Sequence, residues 1–390
     1  MPGSDVVLRG MAWDHPRARD PLDAISTAWT RRTGIPVQWN VRSLKEFEDQ
    51  PLEELANEHD LVLVDYPFMG VAAASGVLVA VNDWTDAAYL ADQARHAVGP
   101  SHDSYTWAGK QWALAIDAAC QVSAVRDDLW QAAGRGPLPR TWGEVAALAA
   151  ECAGTASRVA IPLNTNHAYC AFLSIGISLA GAEFWPVGRH VHPEAAAEAL
   201  RFLHALAPQL HDSSRGDDPI GISDRMADTD EILYVPLMFG YSNYARANFR
   251  RHRLRFGNAP SGAGGAIGSV LGGVGLALSS RSRQPDAAAD LAREIASPAT
   301  QCSVYVRSGG QPGHGAAWGS PEANALTGGF FRATRRTMDQ AFLRPRVPGH
   351  RVFQPQAGAL VHACIWTDAL PVHECLAGYC RLVETLLQGN

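Results

Sequence analysis

The sequence predicts an α/β protein of two lobes, and three observations carry that prediction. The first third alternates short β-branched runs with amphipathic stretches in the order βαβαβ, the pattern of a largely parallel sheet. The chain has 390 residues, beyond the size at which a single hydrophobic core usually stops growing. A glycine-rich stretch, "PSGAGGAIGSVLGGVGLALSS" at 260–280, reads as a mobile crossing between lobes that runs into a strand.

The elements follow in order. "VVLRGMAW" predicts the first strand, "DPLDAISTAWTRRTG" a helix ended by Gly34, and "IPVQWNVR" the second strand. "LKEFEDQPLEELANEH" predicts a helix and "DLVLVDYP" the third strand. Around "WAGKQWALAID", residues 107–117, the period changes to an alternating strand with a Gly-Lys turn. A helical region runs from Val125 through "TWGEVAALAAECAG", where Thr141 and Glu144 have the spacing of a capping box. "RVAIPLNTN" reads as a buried strand ending in a polar loop, and "HPEAAAEALRFLHALAPQL" as a helix starting after His192. "DEILYVPLMFGYSNY" returns as a strand with an aromatic-rich exit. Beyond the glycine-rich stretch come the helix "DAAADLAREIAS", the turn-rich "RSGGQPGHGAAWGSP", and a helical final third ending in "VHECLAGYCRLVETLLQ".

Composition removes several classes of function. Hydrophobic residues make up 47 %, with 36 glycines and 24 prolines spread along the chain, which is ordinary for a turn-rich globular protein and unlike disorder. A net charge of −6 and no long lysine or arginine block argue against nucleic acid as a partner. The one basic cluster, "RANFRRHRLRF" at 246–256, reads as a solvated helix end or turn, with an anion patch as the alternative. No apolar stretch approaches the roughly 20 residues that span a bilayer. The start "MPGSDVVLRG" lacks a basic region followed by an apolar core, so the expectation is a cytoplasmic chain, or one from which a signal segment has been removed.

Catalytic signatures are absent: there is no G-x-S-x-G, no Walker lysine loop, no H-E-x-x-H and no dinucleotide glycine spacing. Seven cysteines, an odd number, leave at least one outside any internal disulfide. "HAC" at 362–364 and "HEC" at 373–375 form two His-x-Cys pairs of a kind that suits zinc or copper. Residues two apart on a helix point about 200° away from each other, so core packing is the favoured reading, and neither a metal nor a cofactor is expected.

Polar groups at strand exits are more informative. Trp13, Asp14 and His15 follow the first strand, Arg42 the second, and Asp65, Tyr66 and Pro67 the third. In a parallel sheet these ends converge on one crevice. Each also has a structural reading: Asp14 as a helix cap, His15 satisfying a backbone group, Arg42 paired with Glu46, Tyr66 in the core. Recurrence at three successive exits favours a ligand site.

"GMAWDHPRARDPL", "VQWNVRSLKEFEDQPLEELA", "DLVLVDYPFMG", "GSVLGGVGLALS" and "RSGGQPGH" resemble the family-1 extracellular solute-binding proteins of ABC importers, the group that includes sugar and maltodextrin receptors. The resemblance covers nearly the whole chain. It implies a periplasmic-binding-protein fold of type II, with several hinge crossovers and a ligand cleft between lobes. Lobe one would be 1–117 plus 264–307, and lobe two 118–263 plus 308–390. The cleft loops would be Trp13 to His15, Asp65 to Phe68, Ile116 and Asp117, Asn164 to Asn166, Phe239 to Asn243, and Ser308 to Gln311. Asn164, Asn166, Asn243, Gly309, Gly310 and Gln311 are thus candidate ligand contacts.

The resemblance further implies capture of a small polar metabolite, a sugar or an organic acid, by hinge closure, and delivery to ABC permease subunits. The protein would act as a monomer, periplasmic or tethered outside the cell if a signal segment was removed. Asp65 and Asp117 would accept hydrogen bonds from the ligand, Trp13 and Tyr241 would supply stacking faces, and Arg42 would pair a ligand carboxylate. Two alternatives stay open at this level. One is an intracellular enzyme on the same fold, with His15 as acid or base and Asp14 or Asp65 orienting it. The other is a cytoplasmic ligand sensor.

Overall fold

The computed structural model describes residues 7–43, 52–185, 191–262, 265 and 267–387. The contacts divide the chain into two compact units, 1–118 with 272–326 and 346–348, and 119–271 with 327–345 and 349–390. From the amino terminus, β1 (Leu8–Trp13), α1 (Pro16–Thr33), β2 (Val37–Arg42), a short helix Leu52–Glu58 and β3 (Leu61–Asp65) open the first unit. The second is built on β4 (Ala119–Val125), α2 (Trp142–Cys152), α3 (Thr165–Ala180), α4 (Pro193–Leu206) and β5 (Ile232–Phe239). The chain returns to the first unit with β6 (Val274–Ser279) and α5 (Pro285–Ala296), and ends in the second with α6 (His350–Trp366) and α7 (Val372–Leu382).

In the first unit β1 pairs parallel with β2 and β3, setting Trp13 beside Arg42 and Met11 beside Val62. Antiparallel β6 lies on the far side of β3, with Val274 opposite Asp65. The inner strand β1 carries Gly10 because a side chain there would strike the Trp39 ring of β2 at 2.3 Å. Apolar residues of the strands pack on Leu22, Ile25 and Trp29 of α1 and on Leu291 and Ile295 of α5. The sequence places the start of α1 at Asp20, but it starts at Pro16. His15 caps it in extended conformation (φ −147°), and proline at the first position gives up only an N–H that the helix leaves unbonded.

Residues 308–326 belong to this unit, where the sequence assigned them to lobe two, and 264–271 fall in the second unit. Backbone bonds explain the first change: Ala118 N–H donates to Gln311 O at 3.0 Å and Gly313 N–H to Ile116 O at 3.1 Å.

The second unit holds a sheet in the order Arg255–Gly257, β4, β5, Arg158–Val159. β4 and β5 are antiparallel, with Tyr234 opposite Val125, and β4 is buried throughout. The predicted capping box is present: Thr141 Oγ1 accepts from Glu144 N–H, and the Glu144 carboxylate accepts from Thr141 N–H. The helix expected from Val125 onward is replaced by the end of β4, a short helix Asp127–Ala132 and then α2. α3 was not foreseen. It is buried around most of its circumference, so its sequence shows no polar face to give it a helical period.

The glycine-rich stretch expected to be a mobile connection packs on α3 at Gly262 and Gly268 and runs into β6. A Cβ on Gly262 would come to 1.9 Å from Ser178 O, and one on Gly268 to 1.8 Å from Ser174 O. No helix among the described residues is long and apolar enough to cross a membrane.

Candidate functional site

The strand ends of the first unit assemble most of the polar groups singled out above. Trp13 closes β1 and is almost wholly buried in the core cluster of that unit. Asp14 turns outward and pairs with Arg19 at 2.8 Å. His15, not Asp14, caps α1: its Nδ1 accepts from Arg17 N–H at 3.0 Å, which puts the ring proton on Nε2. Asp14 and His15 are therefore turned to different structural tasks. Arg42, at the end of β2, directs Nη2 to Met11 Sδ at 3.0 Å, and the Glu46 it was expected to meet lies outside the described residues. Asp65 ends β3, and Tyr66 beyond it is fully buried.

Asp117 is occupied. Arg17 grips it with two bonds, Nε to Oδ2 at 2.8 Å and Nη2 to Oδ1, and both residues are buried. Burial pushes the Asp117 carboxyl up from its ordinary range, and the Arg17 charge opposes that. Two buried phenols flank the pair. Tyr105 is pushed well above the usual range by burial and by the charges of Asp65 and Asp117, and Tyr305 by burial and by Asp117. Val274 exchanges backbone hydrogen bonds with Asp117 and lies opposite Asp65, so the two carboxylates flank one strand position. Gln311 Nε2 donates to Ala118 O at 2.8 Å, bracing the same corner. Gly309 and Gly310 have structural reasons: Gly309 has φ 103°, and a Cβ on Gly310 would meet the Tyr305 ring at 2.3 Å.

In the second unit Asn164 caps α3. Its Oδ1 accepts from His167 N–H at 3.0 Å and lies 2.9 Å from His167 Nδ1. Gln354 of α6 links the neighbours: its Nε2 donates to Asn166 Oδ1 at 2.7 Å, and its Oε1 accepts from Arg344 Nη1 at 3.0 Å and from His350 Nε2 at 2.9 Å. α6 can lie this close because Gly358 has no side chain, where a Cβ would sit 2.4 Å from Thr165 O. Burial, with the Arg344 charge beside them, lowers both His167 and His350 to about 3, so both imidazoles are neutral. Phe239 stands edge-on to His167 at 6.0 Å, and Tyr241 edge-on to Tyr244 at 6.4 Å. Asn243 is buried, and its Oδ1 has no hydrogen-bond partner among the described residues.

Sequence reasoning missed Arg17, Tyr105, Tyr305, His167, Arg344, His350 and Gln354. Nothing in "HPRARD" separates Arg17, which turns in to Asp117, from Arg19, which turns out to Asp14. Within the basic stretch at 246–256, Arg250 meets Asp224 at 2.6 Å and Arg255 meets Asp127 at 2.6 Å.

No protein-family pattern matches the chain, and no curated protein sequence does. Solved structures match it over almost its whole length. The maltose-bound MalE3 of T. maritima superposes with a TM-score of 0.83 at 16 % identity, covering 98 % of this chain and 100 % of that one. An ABC transporter solute-binding protein from Agrobacterium radiobacter K84 in complex with ribitol gives 0.80 at 17 % identity, with 99 % of each chain covered. The Thermus thermophilus maltotriose-binding protein bound with maltotriose gives 0.74 at 18 % identity, covering 98 % of this chain and 100 % of that one. The chain has the two-lobed α/β fold of the solute-binding proteins of ABC transporters.

Proposed function

We propose that this protein is the substrate-binding protein of an ABC importer, capturing a small polar metabolite by closure of its two units and presenting it to permease subunits. The observation that carries the reading is the end-to-end match, with a TM-score of 0.83, to a sugar receptor caught with maltose in place. Structures of the same fold hold ribitol, maltotriose and tagatose, which makes a sugar or polyol the first ligand class to test. The residue types support it. Asp65 in one unit and Asn164, Asn166 and Asn243 in the other are acceptors and donors suited to hydroxyls, and Trp13 and Tyr241 are the aromatic residues that would stack on a sugar ring. Arg42 leaves an organic acid as the second class. Asp117 is assigned to holding Arg17, not to the ligand, because each of its oxygens accepts from Arg17 and its side chain is fully buried.

The enzyme reading is the alternative: Asp14 faces Arg19, and His15, with Nδ1 held by the α1 cap, would act through Nε2. A monomer working outside the cytoplasmic membrane is the state that suits delivery to a permease.

Equilibrium dialysis against a panel of maltodextrins, pentitols, ketohexoses and organic acids, with every compound quantified on both sides by mass spectrometry, tests the proposal. Accumulation of one compound, intact and near one per chain, is the expected result. Disappearance of a compound with a new mass in its place would return the enzyme reading, and no accumulation of any kind would remove the receptor reading for these classes.

A further inference from the structure

The two His-x-Cys stretches meet through their sulfurs and not through their imidazoles. α6 carries Cys364 and α7 carries Cys375, and both thiols are buried in the core of the second unit. Cys375 Sγ sits 3.6 Å from Leu360 O, one helical turn before Cys364 on the same face of α6. Leu360 O is the carbonyl that the Cys364 N–H meets in a helix, so the Cys375 thiol lies beside the Cys364 turn of α6. The histidines go elsewhere. His362 Nε2 lies 3.4 Å from Arg215 O, and His373 is exposed on the surface of α7. Among the described residues no three His, Cys, Asp or Glu side chains gather to hold a metal, so what the motif builds is a dithiol.

We propose that Cys364 and Cys375 are a disulfide-forming site that ties α7 to α6. Proximity is the condition that most pairs of cysteines fail, and the seat of Cys375 against the turn that carries Cys364 is what supplies it here. The co-reactant is a low-molecular-weight disulfide such as glutathione disulfide. The Cys364 thiolate attacks one of its sulfurs, breaking that S–S bond and releasing one thiol. The Cys375 thiolate then attacks Cys364 Sγ in the mixed disulfide and releases the second thiol. Two electrons pass from the protein dithiol to the external disulfide, and the two protons end on the released thiols. The contact between the sulfurs favours this order, because it holds Cys364 below the ordinary thiol range while Cys375 is pushed above it.

Burial places the exchange during folding or in local openings of α7. The bond encloses ten residues, Ile365 to Glu374. It anchors the helix whose Tyr379 packs on Phe172 at 5.3 Å and on Phe353 at 5.6 Å. A closed loop of this kind restricts the unfolded chain and stabilises the fold by doing so.

The test is to refold the full chain from denaturant in a buffer of reduced and oxidised glutathione, block free thiols with N-ethylmaleimide, digest, and map the peptides by mass spectrometry. The expected product joins the Cys364 and Cys375 peptides, lighter by two hydrogens than their sum. It melts a few degrees above the dithiothreitol-reduced protein, and the Cys364→Ser and Cys375→Ser variants lose that difference. Recovery of both cysteines as maleimide adducts in the refolded protein would overturn the proposal. So would links spread equally over Cys120, Cys152, Cys170, Cys302 and Cys380. The wild-type mapping decides the matter even if a serine variant fails to fold, and it is independent of whether any sugar binds.

Discussion

Arg17 and Asp117, one hundred residues apart in sequence, form a buried two-bond ion pair between the first turn of α1 and the last residues before the chain leaves the first unit. Removing one partner strands a charge in a low-dielectric site. Arg17→Met or Asp117→Ala is therefore expected to cost about 3–5 kcal/mol, and replacing both with apolar residues to cost much less. Urea unfolding of the three variants checks this. A double-variant loss equal to the sum of the two single losses would show that the pair is not coupled.

The neutral histidines of the second unit make stability depend on pH in a stated direction. His167 and His350 titrate near 3 in the fold and near the ordinary 6.5 when unfolded. Between those values the unfolded chain binds the extra protons, so stability is full above about pH 7 and falls as the pH drops below 6.5. From pH 7 to 5.5 the two together are expected to remove about 2–3 kcal/mol. A His167→Gln, His350→Gln double variant should lose most of that slope in urea midpoints measured across the range, and an unchanged slope would assign it to other groups.

Sequence legibility followed the range of the interactions. β1, β2, β3, α4, α5 and the Thr141 cap were readable because each depends on residues within a few positions, through alternation, amphipathic period or capping. α3 and β4 were not, because both are enclosed by the fold and an element buried on every side carries no polar face to mark its period. The site divided in the same way. Asp65 and Trp13 announced themselves as strand ends. The Arg17 partner of Asp117, one hundred residues away, and the link from Gln354 to Asn166, across 188, depend on contacts that no local pattern records.

Glycine substitutions separate close packing from mere flexibility. Gly268→Ala would drive a Cβ to 1.8 Å from the Ser174 carbonyl, a backbone atom that cannot swing aside. A cost of about 1–3 kcal/mol or more is expected from such overpacking. Gly143→Ala, on the exposed face of α2 with nothing within 4 Å, should instead stabilise by about 0.4–1 kcal/mol. Opposite signs in thermal or urea unfolding are the expected outcome, and a neutral Gly268→Ala would mean that the segment lifts off α3.

The ligand-binding roles proposed for Trp13 and Asp65 call for different substitutions. Truncating Trp13 to alanine is the direct test of its stacking role. Its burial at 4 % exposure, in the cluster with Leu22 and Ile25, makes that experiment ambiguous, since Trp13→Ala should itself cost about 3–5 kcal/mol of stability. Trp13→Phe keeps an aromatic body in the core and reduces only the stacking surface. Asp65→Asn keeps the shape and removes the charge. With the compound retained in dialysis as titrant, each is expected to weaken binding at least tenfold, about 1.4 kcal/mol. Asp117→Asn should act mainly through stability. Unaltered affinity in both Trp13→Phe and Asp65→Asn would move the ligand away from the ends of β1 and β3, leaving the Asn164 to Asn166 corner and Asn243 as the remaining contacts to test.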